Sequence, residues 1–230
     1  MIKSIYIAPA APYSGKSVLT LGLVNMILGK TAKVAYFKPV ILAPPAEQLD
    51  THIQTVLSHF QLAQRYDECW VFTRNQALQY LHDNLQGLML DAIIHRYKEL
   101  ENNYDFVIVE GSDFAGGGSA FEFSMNELIA RNLGSPAILL VSGEGKSIEE
   151  MAQEALNFYQ AYQDKDIRVL CVLVNKVSAE LIPQLNEVLA KLLPDSLLKA
   201  VVPKDHALEN PTVGDILRRY QRIGVQRDRQ

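Results

Sequence analysis

The residues able to do chemistry sit where short apolar runs stop. The first run, Ile5-Tyr6-Ile7-Ala8, passes through Pro9-Ala10-Ala11-Pro12-Tyr13 to Ser14-Gly15-Lys16-Ser17, and an amphipathic stretch comes next. This is the layout of an anion site. Amides at a helix N-terminus point at phosphate oxygens, a lysine adds a point charge, and a serine hydroxyl can ligate magnesium. Ser14, Gly15, Lys16 and Ser17 are therefore candidate nucleotide-binding residues, and Ser17 is also a candidate metal ligand. The loop departs from the G-x-x-x-x-G-K-[ST] pattern. Ala10 stands at the first glycine, and Pro9 and Pro12 each remove an N–H donor from a loop built to present them. Two readings stay open: a working phosphate loop, and a degenerate one that keeps the fold and has lost its ligand.

Three more strand ends carry candidates. Lys38, in Phe37-Lys38-Pro39-Val40, is placed to hold a phosphate or carboxylate beside the loop, or to be an ordinary solvated lysine. Glu110 closes the run Asp105-Phe106-Val107-Ile108-Val109 before Gly111, where a carboxylate can support magnesium. Asn175, in Val174-Asn175-Lys176, offers a donor and an acceptor to a base edge, or caps a turn. Asp50 opens a helical pattern over 50–62, as an N-cap or as a second acid near the metal. Ser112 and Asp113 come after Glu110, and Gly116–Gly118 gives that loop freedom to approach a ligand. Cys69 and Cys171 stand apart, and His52 and His59 lie seven residues apart without partners, so no His/Cys set has metal-ligand spacing. No nucleophile elbow is present.

The elements that must position these groups read as alternating strands and helices. Val- and Ile-rich runs at 2–8, 33–38, 106–110, 137–142, 169–175 and 198–202 fit strands buried on both faces. Helical periodicity marks 17–28, 86–100, 148–162 and 179–193. The pattern predicts a three-layer, doubly wound α/β fold with a mainly parallel sheet, whose ligands gather at the C-terminal strand ends. Residues 41–49, with Pro44 and Pro45, read as a loop. A domain over 1–216 is expected, with 217–230 as a linker or the start of a following domain.

The chain has 230 residues, 48% hydrophobic and 21% charged, a globular composition. The net charge of −4 speaks against nucleic-acid and membrane partners, which select a basic face. No apolar run approaches the ~20 residues of a membrane span. Two cysteines and an N-terminus that runs straight into a strand lead to the expectation of a cytoplasmic protein without a signal peptide.

The Gly15-Lys16-Ser17 loop, the Phe37-Lys38-Pro39-Val40 turn and the Val109-Glu110-Gly111 strand end resemble dethiobiotin synthetase and its P-loop NTPase-like relatives. That resemblance implies metal ligands at Ser17, Asp50 and Glu110, and a substrate lysine at Lys38. Those enzymes' first loop glycine matches Pro9, so it is missing in either alignment. Val109-Glu110-Gly111-Ser112-Asp113-Phe114, Glu122-Phe123-Ser124-Met125-Asn126, Asn132-Leu133-Gly134-Ser135-Pro136, Val202-Pro203-Lys204-Asp205 and Asn210-Pro211-Thr212-Val213 are similar to the N-terminal domain of long-form bacterial phosphate acetyltransferases. The similarity runs from about Ile2 to Ile216. It implies a regulatory and assembly domain, with the acyltransferase domain elsewhere in the same polypeptide or acting in trans, and a homo-oligomer. It also implies ATP or another nucleotide with Mg²⁺, bound weakly or lost. No residue of this chain is assigned to acyl transfer. The alternatives are an ATP-dependent ligase of the dethiobiotin synthetase type and a stand-alone regulator of a separate acyltransferase.

Overall fold

The computed structural model describes residues 2–42, 49–113 and 119–205. Eight strands and seven α-helices succeed one another among them: β1 (Ser4–Pro9), α1 (Lys16–Leu28), β2 (Val34–Phe37), β3 (Val40–Ile41), α2 (Thr51–Phe60), β4 (Phe72–Thr73), α3 (Arg74–His82), α4 (Gln86–Asn103), β5 (Phe106–Glu110), α5 (Ser119–Leu133), β6 (Ala137–Ser142), α6 (Ile148–Gln163), β7 (Val169–Val177), α7 (Ile182–Leu192) and β8 (Leu198–Pro203). The glycine run Gly116–Gly118, residues 43–48 of the expected loop, the Asn210–Val213 motif and the expected linker lie outside the described residues.

Six strands form one parallel sheet in the order β2-β5-β1-β6-β7-β8. β1 lies at its centre, and the chain leaves it leftward through α1 to β2 and later returns to its right through α5 to β6. That reversal is the switch point where an open α/β sheet forms its crevice. The strands read as near-continuous apolar runs because both faces are covered. On one face Val24 of α1 and Ile53 and Val56 of α2 pack on Ile7, Val34, Tyr36 and Ile108. On the other, buried residues of α4, α5, α6 and α7 pack on Tyr6, Ala8, Phe37, Val109, Leu139 and Val174. This is the three-layer, mainly parallel fold expected from the sequence.

The register aims the site. Ile7 pairs with Glu110, so β5 ends beside β1 just before the loop begins. Pro9 closes β1, where the ladder no longer needs its missing N–H, and the next amide, Ala10, donates to Leu140 O on β6.

Three expectations change. Ile41 belongs to a two-stranded parallel ribbon, β3 with β4, rather than to the loop. The helix expected over 50–62 covers Thr51–Phe60, with Asp50 as its cap. Helices α3 and α5 are additions to the expected set. α5 is amphipathic, but glycines immediately before it and Asn126, Asn132 and Ser124 within it dilute the signal.

Candidate functional site

The loop from Ala10 to Gly15 turns from β1 into α1. Gly15 takes a left-handed conformation, φ +94°, and a Cβ there would meet Asn175 Nδ2 at 2.1 Å. Glycine is required on both counts. The contact has a purpose: Asn175, delivered by β7, donates Nδ2–H to Ser14 O at 2.9 Å and latches the loop. Tyr13, also at positive φ (61°), stands at the tip and is 77% exposed. The amides of Ser14 to Ser17 have no protein acceptor among the described residues. The Ser14 hydroxyl is fully buried, also without a partner.

Lys16 is almost wholly buried, a position a lysine tolerates only when paired. Its Nζ donates to Gly111 O at 2.9 Å and to Asp113 Oδ1 at 2.5 Å, and lies 3.5 Å from Glu110 Oε1. Glu110, 1% exposed, is served on both oxygens. Thr20, one helical turn beyond Lys16, donates to Oε2 at 2.7 Å, and His52 Nδ1 lies 3.2 Å from Oε1. Burial alone would raise the Glu110 pKa. Lys16, the His52 hydrogen bond and the charges of Lys38 and His52 override it and hold the carboxyl below the usual range.

Lys38 is buried, which removes the solvated reading. Its Nζ donates to Asp50 Oδ2 at 2.9 Å. The other Asp50 oxygen accepts from the amides of His52 at 3.0 Å and Ile53 at 3.1 Å, capping α2. Asp50 is thereby occupied twice, as cap and as ion partner.

The Glu110–Asp113 turn is held by a residue that sequence reasoning missed. Asn126 of α5 donates to Ser112 O at 2.9 Å and accepts from Ser112 N at 2.9 Å and Tyr6 OH at 2.9 Å. A Cβ on Gly111 would lie 2.7 Å from Asn126 Oδ1 and 2.8 Å from Ile7 O, so the turn closes tightly against β1. Thr20 and His52 were missed as well. Their signal was spacing: Thr20 is four residues after Lys16 on one helix face, and His52 is two after the capping Asp50.

The structure thus brings Lys16, Ser17 and Glu110 together, with Lys38 and Asp50 paired beside them and Asn175 on the loop's far flank. Magnesium is the metal such loops hold, and it demands oxygen ligands in near-octahedral array. The residues here do not fit it. The His52 imidazole lies between the ligand candidates, with Nδ1 3.2 Å from Ser17 Oγ and 3.2 Å from Glu110 Oε1. Asp50 is committed elsewhere, and no three His, Cys, Asp or Glu side chains gather as a metal set among the described residues.

A central β1, a loop turning into α1 through Gly-Lys-Ser and a carboxylate at the end of the adjacent strand define a P-loop NTPase-like α/β protein. The chain belongs to the AAA domain family, whose model matches residues 3–212. It is 32% identical over 218 residues to the phosphate acetyltransferase of Synechocystis sp., covering 94% of this chain and 31% of that protein. It is 30% identical over 221 residues to the phosphate acetyltransferase of Nitratidesulfovibrio vulgaris, with the same coverage of 94% and 31%. The similarity to phosphate acetyltransferases read from the sequence is borne out, and the chain spans about a third of the length of these relatives. Among solved structures, the ATP complex of an McdA variant from Cyanothece superposes with a TM-score of 0.55 at 12% identity, covering 90% of this chain and 85% of that one. That likeness concerns the fold. No helix among the described residues is long and apolar enough to cross a membrane.

Proposed function

We propose that this chain is the N-terminal regulatory and assembly domain of a phosphate acetyltransferase and is itself non-catalytic. Residues 1–216 form the domain, and 217–230 form a linker or the start of a further domain. The interconversion of acetyl-CoA and phosphate with acetyl phosphate and CoA belongs to an acyltransferase domain in the same polypeptide, or in trans. The reading includes a homo-oligomer and a cytoplasmic location, in keeping with two free cysteines. One observation carries it: Lys16, the group that should meet a nucleotide phosphate, is already bonded to Asp113 and the Gly111 carbonyl and neutralised by Glu110. An anionic effector at Ser14–Ser17, flanked by Lys38 and Asn175, must compete with those contacts, so binding is weak or absent. Calorimetric titration with ATP–Mg²⁺ and ADP tests this. Millimolar or undetectable binding without ATP turnover is expected; micromolar affinity with turnover overturns it.

The convergence of Lys16, Ser17 and Glu110 on one strand end favours a second reading, an ATP-dependent ligase of the dethiobiotin synthetase type. Ser17, Asp50 and Glu110 would then rearrange to hold Mg²⁺, and Lys38 would hold a carbamate. ADP release with diaminopelargonic acid and bicarbonate decides it, since absence of activity removes this reading.

A further inference from the structure

We propose that His52 takes the position of the divalent cation in this loop. The imidazole keeps metal out, so the site admits only anions that arrive without one. The inference rests on the non-catalytic reading, but its test reads metal uptake rather than nucleotide turnover, and either can fail alone.

Three observations carry it. A loop metal would have to bridge the Ser17 hydroxyl and the Glu110 carboxylate, and the ring stands there instead, 3.2 Å from each oxygen through Nδ1 and 3.4 Å from Ser17 Oγ through Nε2. The ring is also fixed from behind. Its residue lies in the first turn of α2, where the His52 amide is bonded to the Asp50 cap at 3.0 Å, and Asp50 is itself pinned by Lys38 at 2.9 Å and by its own amide donating to Tyr66 OH at 2.7 Å. Finally, Glu110 has no oxygen left over. Thr20 holds Oε2, while Lys16 and His52 share Oε1. A metal–nucleotide complex would have to break the ring's contacts, whereas a metal-free anion meets the loop amides with the ring undisturbed.

The His52 side chain is 37% exposed, so replacing it should leave the fold intact; circular dichroism verifies this. Mn²⁺, read by the loss of its free electron paramagnetic resonance signal, is titrated into the unsubstituted chain, H52A and H52D. The unsubstituted chain is expected to take up no Mn²⁺ at the loop. H52A is expected to bind at least about tenfold more tightly, the scale on which groups around metal ligands change affinity. H52D, which adds an oxygen ligand, is expected to bind more tightly still. A single Ser17→Ala change in the H52D background should abolish the gain and so place the ion. Equal uptake by all three proteins overturns the proposal. Tighter uptake by the unsubstituted chain makes His52 a ligand and also overturns it, as does failure of both variants to bind.

Discussion

Two carboxylates at the C-terminal edge of the sheet show how much surroundings decide. Glu110 ends β5 and Glu144 lies just beyond β6, and each is held by lysine. Glu110 is buried among Lys16, His52 and Thr20. Glu144 is 44% exposed and receives Lys204 at 2.9 Å and Lys176 at 3.0 Å. Both carboxyls titrate low, for different reasons. Hydrogen bonds from Lys204 and Lys176, then the charge of Lys176, take Glu144 to about 2 with almost no burial to oppose them. At Glu110 the same kind of partners must first overcome burial. A buried ion can neither be stripped of its partner nor easily offered a new one; an exposed ion returns to water.

The largest test of that contrast is Glu110→Gln. It leaves Lys16 in the interior without the more deeply buried of its two carboxylates, and removing one member of a buried pair costs about 3–5 kcal/mol. Asp113 and the Gly111 carbonyl stay on Lys16, which places the expected loss at about 3 kcal/mol. It would be read as a lowered urea midpoint at unchanged slope. A loss under about 1 kcal/mol would put Glu110 in the exposed class and break the contrast.

Alkali gives the next effect. Tyr6 and Tyr36 flank Glu110, and burial first, then the Glu110 charge, raise both phenol pKa values above 10. A group whose folded pKa is raised contributes stability that is full below its unfolded pKa and lost as pH climbs toward the folded one. Stability should therefore fall above about pH 10, by about 1.4 kcal/mol per pH unit for each phenol. Tyr36→Phe separates the two. The Tyr36 hydroxyl is buried beside Glu110, near enough to act on its carboxylate but short of a full hydrogen bond, so the substitution should cost no more than a weak contact at neutral pH and make the alkaline decline shallower. An unchanged slope in equilibrium unfolding would refute it.

Asn126→Ala ranks below these because water can fill the space the amide leaves. It unpairs the buried Ser112 N–H and carbonyl and the Tyr6 hydroxyl, and with water as their new partner the loss is expected to be about 1–3 kcal/mol for the three together. The same change should loosen the turn that supplies Gly111 O and Asp113 to Lys16, visible as faster amide exchange at residues 111–113. Wild-type exchange there would limit Asn126 to packing.

These residues also mark what was legible beforehand. The six core strands and the Gly15-Lys16-Ser17 and Glu110 strand ends could be read because a buried parallel sheet forces long apolar runs, and a sheet's C-terminal edge collects its polar exceptions. Asn126, Thr20 and His52 could not. Their roles arise from contacts across 120, 90 and 58 residues, and the one local sign, the spacing of Thr20 from Lys16 and of His52 from Asp50, does not name the carboxylate they meet. Asn175 was legible as a residue of interest, but its bond to Ser14 O depends on the exact seat of the loop against β7. The β3–β4 ribbon was lost to length, since two residues per strand carry no period.

The smallest effect closes the contrast from the exposed side. Glu144→Gln removes a carboxylate that two lysines share, yet all three groups remain within reach of water, so an exposed pair is worth about 0–1 kcal/mol. Whatever it contributes should weaken in high salt, because these charges are solvent-exposed and the Debye length shrinks from about 8 Å at physiological ionic strength to about 3 Å, the spacing of the pairs, at 1 M. The Glu110 effect should keep its size in the same salt, since Glu110 and the Lys16 ammonium it faces are both out of solvent. Denaturation of both variants in low and high salt therefore measures the difference directly. If Glu144→Gln costs as much as Glu110→Gln and resists salt equally, the two clusters are alike, and burial is not what holds Lys16 in place.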